Sequence, residues 1–292
     1  MRTVEYIWRD ARSNLRSKTV LRRDGCAAAV ESVCGPLMFE SVSLSTPDVY
    51  LSPVRTYPDP FRGDGVLALC EVFRDVHLRV PLMGERTALD TFMVQHGAPL
   101  SPVVGLEQPV LLSGALPPAD IGFYGRAPTE QRLSDVFEAF LSACTRADLQ
   151  LHTLMWAENP NTMVLTLKGD PVEVADDLLL ARWLLNRVGT QHGTQVFIGE
   201  LPDFATDAGF DLQLGVTLST VFSRGPASAA ALIELQCALG DQAEVPYSAK
   251  FDPNPYIRVR GTPAASDPYP LLLDVLSKTC ASRVRVIDDV IG

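Results

Sequence analysis

Two glutamates have surroundings that predict chemistry. Glu107 lies within the apolar run 103–112, and Glu158 follows the apolar run 149–157. An ionised carboxylate beside apolar strand residues is costly unless it is paired or bound to a cation, and carboxylate oxygens are the ligands that hard divalent cations prefer. The alternative is a strand-end carboxylate that reaches solvent or an arginine, and spacing alone favours that alternative.

No common catalytic motif accompanies these glutamates. The sequence contains no GxxxxGK[ST] loop, no GxGxxG after a strand, no HExxH and no GxSxG. Its four histidines, His77, His96, His152 and His192, are scattered singly. A single histidine is typical of a surface or a satisfied core position. Spacing therefore predicts no particular reaction.

Composition and charge indicate a globular chain and argue against one class of partner. A chain of 292 residues with 47% hydrophobic residues is long and apolar enough for one large or two ordinary domains. Its formal net charge of −10 argues against a nucleic-acid partner, because binding to phosphate backbones depends on a basic surface. The short basic run 16–23 is the only feature in favour of one.

Cysteine usage and hydropathy predict a cytoplasmic protein without a membrane partner. The six cysteines form no CxxC pair, and most lie in apolar segments, so we expect small buried side chains in a reducing compartment. No apolar run approaches the roughly 18 residues of a membrane helix, and no signal-peptide core follows the first residues.

Periodicity predicts an α+β fold in two domains, 1–80 and 81–292. Residues 1–80 contain short strands separated by turns, whereas residues 81–292 alternate longer helices with strands, as in a sheet with packed helices. The predicted strands are 4–8, 15–22, 48–55, 66–73, 103–112, 149–157, 162–168, 195–198, 211–222 and 256–260. The predicted helices are 85–96, 129–146, 171–191, 227–239 and 268–281.

A series of ordered motifs resembles the eukaryotic-type glutamine synthetases. EYIWRDARSNLRSKT at 5–19 is similar to the family's EYIW-D-LRSKTR hairpin, and the segments 48–62 and 66–73 are similar to its SD-x-YL-x-P, DPFR and LCE motifs. VGLEQPVLL at 104–112 resembles the FG-x-EQEYTL strand. Further matches to the NAE, GDH-x-W-x-AR-x-x-LHRV, SIRIPR and DPY motifs lie at 154–158, 176–188, 256–260 and 264–269.

This resemblance implies a fold and an activity. We expect a small N-terminal β-grasp domain and a shortened catalytic-type α/β domain of the glutamine synthetase kind. Family members make glutamine from glutamate, ATP and ammonium. They form rings in which the small domain of one subunit completes the active site on the large domain of the next. Carboxylates and a histidine hold the divalent cations that bind the nucleotide phosphates.

Only part of the family's reaction centre is present by position. Glu107 matches the first carboxylate of EQE, Glu158 matches the glutamate of NAE, and Arg258 lies in the SIRIPR-like segment. The resemblance implies that Glu107 and Glu158 are remnant metal ligands and that Arg258 is a remnant catalytic residue.

Three ligand positions of the family are predicted to be lost. They fall on Pro109, Leu165 and Gly215, where the family has glutamate, glutamate and histidine. Arg224 is the only arginine left in the shortened region that carries the family's NRRLTG-x-HE loop, and the YFEDRRP segment is missing. The WNFDGSS loop is reduced to 38–42, with Glu40 nearest to its aspartate.

The pattern favours a pseudoenzyme that keeps the scaffold and lacks glutamate–ammonia ligase activity. We expect it to act by binding or oligomer assembly, with copies of itself, another protein or subunits of an active glutamine synthetase as partners, and without a cofactor. The alternative is a ligase or kinase that uses Glu107 and Glu158 around Mg²⁺ or Mn²⁺ with ATP. A third hypothesis is a non-catalytic binder of an amino acid or nucleotide.

Overall fold

A computed structural model gives the structure of this chain. It describes residues 2–23, 28–33, 48–78, 80–114, 130–157, 161–199, 202, 212–224, 228–246, 255–260 and 267–291. The predicted features at Glu158, at Glu40 and in the segment 261–266 lie outside these residues. None of the helices in the described part is long and apolar enough to cross a bilayer.

The first sheet is built from the N-terminal part of the chain. Its strands are β1 (Arg2–Arg9), β2 (Leu15–Arg22), β3 (Glu31–Val33), β4 (Val49–Pro58) and β5 (Val66–Phe73), in the order β2-β1-β5-β4-β3. Among the pairs of described strands in this sheet, only β1–β5 is parallel. The predicted hairpin is confirmed, since β1 and β2 pair along their whole length.

Asp10 closes the turn of this hairpin. Its Oδ1 accepts hydrogen bonds from the backbone N–H groups of Arg12 and Asn14, each at 2.9 Å, and its Oδ2 accepts one from Arg16 Nε at 2.8 Å. Burial opposes ionisation of this carboxyl group, but these hydrogen bonds outweigh it and lower the pKa of Asp10. The carboxylate therefore fixes the turn in its ionised form.

The second sheet contains the strands that carry the predicted site. They are β6 (Val103–Leu112), β7 (Leu151–Trp156), β8 (Thr162–Gly169), β9 (Val196–Phe197), β10 (Gly215–Ser219), β11 (Ala243–Glu244) and β12 (Ile257–Arg260). The order is β11-β12-β10-β6-β8-β7, and β9 pairs with the end of β6. All described pairs in this sheet are antiparallel. Two sheets with packed helices confirm the predicted α+β class.

Five α-helices accompany the sheets in the described part of the chain. They are α1 (Glu85–Leu100), α2 (Gln131–Arg146), α3 (Pro171–Gln191), α4 (Ser228–Leu239) and α5 (Pro268–Ile291). Two predicted ends were wrong. α1 continues past residue 96 to include Pro99, and α5 continues past residue 281. Strand β10 is also shorter than the predicted strand 211–222.

α3 forms the centre of the molecule, and its bounds are those predicted from the sequence. Asp170 caps its N-terminus by accepting hydrogen bonds from the backbone N–H groups of Val172 and Glu173, and Pro171 occupies the first turn. Most of its residues are buried. They pack in one continuous core with residues of both sheets, such as Ile7 of β1 and Leu167 of β8. The predicted division into domains at residue 80 stays a prediction.

Asp176 is the first of two adjacent buried carboxylates on α3. Arg86 of α1 donates to both of its oxygens, from Nε and Nη2, at 2.9 Å each. The hydroxyl of Tyr269 in α5 donates to Oδ1 at 2.6 Å. Burial raises the pKa of Tyr269, and the neighbouring Asp176 raises it further, so the hydroxyl keeps its proton. This carboxylate thus joins three helices.

Asp177 connects α3 to the first sheet. Its Oδ1 accepts a hydrogen bond from the Tyr57 hydroxyl at 2.9 Å and lies 3.2 Å from Arg55 Nη1, and both partners belong to β4. Its Oδ2 accepts from the backbone N–H of Gln150 at 2.9 Å. Burial raises the pKa of Asp177 despite these contacts. The pair Asp176–Asp177 therefore holds the first sheet and two helices against α3.

Replacing Asp176 tests this arrangement. Asp176→Ala leaves the largely buried Arg86 without its ion-pair partner, so we expect the free energy of unfolding to fall by about 3–5 kcal/mol. Urea denaturation followed by circular dichroism measures this change. The matched control is Asp274→Ala, which breaks an exposed ion pair with Lys278 on α5 and is expected to cost below about 1 kcal/mol. Equal effects of the two variants would contradict this role of Asp176.

Candidate functional site

Strand register places Glu107 in the middle of one face of the second sheet. Directly paired residues of neighbouring strands lie on the same face. The row through Glu107 consists, from β7 to β12, of Thr153, Thr166, Glu107, Gly215 and Arg260. Glu107 thus has a threonine on one side, and an open glycine followed by an arginine on the other.

The neighbouring row is also rich in polar residues. It consists of Lys168 on β8, Gly105 on β6, Thr217 on β10 and Arg258 on β12. Arg258 donates a hydrogen bond from Nη2 to Oε2 of Glu107. The exposed fraction is 23% for the Glu107 side chain and 41% for the Arg258 side chain, so this ion pair is partly open to solvent. The sequence-predicted residues Glu107 and Arg258 are therefore brought together, and each neutralises the other.

Pro109 and Gly215, two positions at which ligands are predicted to be lost, lie on the same face of the sheet as Glu107. Pro109 is two residues further along β6 and faces the same side. Gly215 is directly opposite Glu107, and a Cβ atom added at Gly215 would lie 3.5 Å from Glu107 Cβ and 3.7 Å from Oε2. A side chain at position 215 would therefore contact the Glu107 carboxylate. At these two positions this chain has a proline and a glycine.

A proline within β6 fits the pairing of that strand. Among the described strands, β10 pairs with residues 103–107 of β6 and β9 with residues 111–112. Residues 108–110 consequently have a paired neighbour only on the β8 side. Proline cannot donate a ladder hydrogen bond and is tolerated in a strand where one side has no partner.

Leu165 belongs to the opposite side of the sheet. It pairs with Gln108 and is fully buried in the core against α3. Gln108 points the same way and accepts a hydrogen bond from Arg182 Nε at 3.1 Å; burial lowers the pKa of Arg182 to about 9. Because side chains alternate along β8, Val164 and Thr166 face the Glu107 side instead. Neither can replace a carboxylate ligand.

A cavity of about 340 Å³ opens on the Glu107 face of the sheet. Its lining combines hydroxyl groups with basic groups and a single carboxylate. The lining residues are Val103, Gly105, Glu107, His152, Thr153, Thr166, Lys168, Thr217, Ser219, Arg224 and Tyr256. The described residues contain no group of three or more His, Cys, Asp or Glu side chains that could hold a metal ion.

Three basic residues at this cavity were missed as site residues from the sequence. Lys168 follows Val164 and Thr166 at intervals of two along β8, so the register of this strand was the available signal. His152 and Arg224 have no such pattern. Arg224 is placed by the turn after β10, where it donates to the Ser101 carbonyl at 2.7 Å and to Ser219 Oγ at 3.3 Å.

A larger cavity of about 710 Å³ lies between the hairpin turn and α3. The charged groups of Glu5, Arg62 and Arg187 in this cavity already pair with one another. Glu5 accepts hydrogen bonds from Arg62 at 2.7 Å and from Arg187 at 3.2 Å. Arg187 also stacks over the rings of Phe61 and Trp183. These contacts hold the first sheet on α3, so the cavity beside Glu107 is the better candidate site.

Comparison with solved structures defines the fold class. Two structures of the glutamine-synthetase-like protein GmaS, one without ligand and one in complex with ADP, superpose with TM-scores of 0.70 and 0.71. Each comparison covers 96% of this chain, and 77% and 79% of the respective GmaS chain. At 15% and 14% identity, these matches show that the fold is shared.

Comparison with curated sequences finds glutamine synthetases as relatives. The chain is 32% identical over 206 residues to a glutamine synthetase of Streptomyces viridochromogenes, and 28% identical over 249 residues to that of Emericella nidulans. These alignments cover 63% and 76% of this chain, and 59% and 66% of the relatives, so the chain spans less than two thirds of their length. No protein-family model matches. The chain is a homologue of the glutamine synthetases, and the predicted resemblance is confirmed.

Proposed function

We propose that this protein is a glutamine-synthetase-like pseudoenzyme that acts by binding or assembly and not by glutamate–ammonia ligation. The observation that supports the proposal is the environment of Glu107. Its carboxylate is paired with Arg258, and the facing positions are Gly215, Pro109 and Thr166. The described residues contain no group of carboxylates and an imidazole that could hold a cation as the resembling family does.

The chemistry of the family explains why these changes matter. Transfer of a phosphoryl group depends on positioning and on electrostatic stabilisation by bound cations and basic groups. Loss of a single group that stabilises transition-state charge typically costs about 10²–10³ in rate. Here Glu107 is engaged by an arginine, and the positions beside it carry no ligand. We therefore expect no measurable ligation.

Activity of the purified full chain tests this proposal. With glutamate, ammonium or hydroxylamine, and ATP with Mg²⁺ or Mn²⁺, we expect release of ADP and formation of γ-glutamyl hydroxamate to stay at least about 10³-fold below an active glutamine synthetase assayed in parallel. The Glu107→Gln variant is the matched control. Turnover that is well above background and is lost in Glu107→Gln would contradict the proposal and favour the cation-dependent ligase or kinase that also uses Glu158.

For the assembly, we propose that the partner is a second copy of the chain, bound at the edge strand β2. β2 ends the first sheet, so its outer backbone groups have no strand partner among the described residues. Ser17, Thr19 and Leu21 are exposed on one face of this strand, and Leu21 is 60% exposed. Edge strands with exposed apolar residues are suited to pairing with another chain.

Light scattering tests the assembly. We expect the unmodified chain to exceed the mass of a monomer and Leu21→Glu to shift it towards the monomer, because a charge at the edge opposes pairing. Val94→Glu is the control, since Val94 is 80% exposed on α1, away from this edge. A monomeric unmodified chain, or equal loss of mass in both variants, would contradict the proposed surface. A mixed species with an active glutamine synthetase, formed in place of the homo-oligomer, would identify the other predicted partner.

A further inference from the structure

We propose that the cavity beside Glu107 binds a small multivalent oxyanion directly, without a divalent cation. The inference rests on the proposed function, because it assigns a ligand class to the same site after the loss of cation ligands. It concerns a site in which basic groups outnumber acidic ones, although the whole chain has a formal net charge of −10.

The charges on this face of the sheet favour an anion. Lys168 and Arg224 line the cavity. Arg258 and Arg260 lie on the same face, on the adjoining strand β12. The opposing groups among the described residues are the two carboxylates Glu107, paired with Arg258, and Glu244, opposite Arg258 in the register of β11 and β12. Four lysine and arginine side chains therefore face two carboxylates, which disfavours a divalent cation and favours an oxyanion.

Lys168 is the basic group most suited to contact a ligand. Within the described part of the chain, its ammonium group has no ion pair or side-chain hydrogen bond, whereas Arg258 and Arg224 are already engaged. It lies directly opposite Gly105 in the pairing of β8 with β6. The ammonium group has three donors, and hydrogen bonds from a charged donor to an oxyanion are the stronger kind.

Gly105 lets the Thr217 hydroxyl lie close to the backbone of β6, beside Lys168. A Cβ atom at Gly105 would overlap Thr217 Oγ1, because this hydroxyl group lies over the glycine and donates to its carbonyl at 3.4 Å. The cavity is bordered by the hydroxyl groups of Thr166, Thr217 and Ser219. Hydroxyl groups can donate to the remaining oxygens of an anion. A volume of about 340 Å³ suits a ligand with two or three phosphate or carboxylate groups.

Calorimetric titration of the full chain with inorganic pyrophosphate tests this inference. The buffer is freed of metals by a chelating resin, because a soluble chelator is itself a multivalent oxyanion. We expect saturable binding, weakened about tenfold or more in Lys168→Met. The matched control is Lys278→Met, which removes an exposed lysine of α5 and should leave the affinity within about twofold. Thermal melting confirms that both variants are folded.

Added Mg²⁺ separates the proposed site from a cation-bridged one. Mg²⁺ complexes pyrophosphate and lowers its free charge, so direct binding should weaken, whereas binding through a metal should strengthen. A parallel titration with citrate assigns the source of the oxyanion, since tighter binding of pyrophosphate indicates a phosphate compound and tighter binding of citrate a carboxylate. Binding that requires Mg²⁺, equal binding by Lys168→Met, or no binding of either anion would overturn the inference.

The results distinguish failure of the pseudoenzyme proposal from failure of the oxyanion site. Metal-dependent ligation that is lost in Glu107→Gln would contradict the pseudoenzyme and the cation-free site together. An inactive chain that binds neither pyrophosphate nor citrate would contradict only the oxyanion site and leave the pseudoenzyme standing.

Discussion

The buried carboxylates Asp176 and Asp177 are the contact on which the arrangement of the molecule depends. They lie side by side on the central helix α3, and their partners come from α1, α5 and the first sheet. Two adjacent negative charges in a core are tolerated only when donors surround them, because an unpaired buried charge is far costlier than an exposed one. Arg86 and Tyr57 must therefore stay in place, which fixes the first sheet and two helices against α3.

This fixed scaffold contrasts with the polar face of the second sheet beside Glu107. The strands still place Glu107 opposite Gly215 and beside Arg258, so the sheet has the register that a site would need. The side chains that project from it are threonines, a lysine and arginines, with a single carboxylate in the cavity. Changing the charge of a face while keeping its backbone is physically simple, since strand residues that point away from the core do not contribute to core packing.

The sequence predicted the elements that have strong local signals. α3 was predicted with its true bounds because Asp170 and Pro171 mark its start and its apolar residues continue for the whole helix. The C-terminal ends of α1 and α5 lie beyond the residues predicted from spacing. The site was harder to predict from the sequence. Pairing of β8 with β6 decides the face on which Leu165 lies, and a turn after β10 places Arg224. Neither relation is visible in local spacing.

Titration of the unmodified chain with Mn²⁺, followed by electron paramagnetic resonance, tests the central claim most directly. If Glu107 is engaged by Arg258 and lacks further ligands, the signal of free Mn²⁺ should rise with added metal as it does in buffer, and Glu107→Gln should give the same curve. Stoichiometric loss of the free Mn²⁺ signal in the unmodified chain, restored by Glu107→Gln, would show a working cation site and contradict the account.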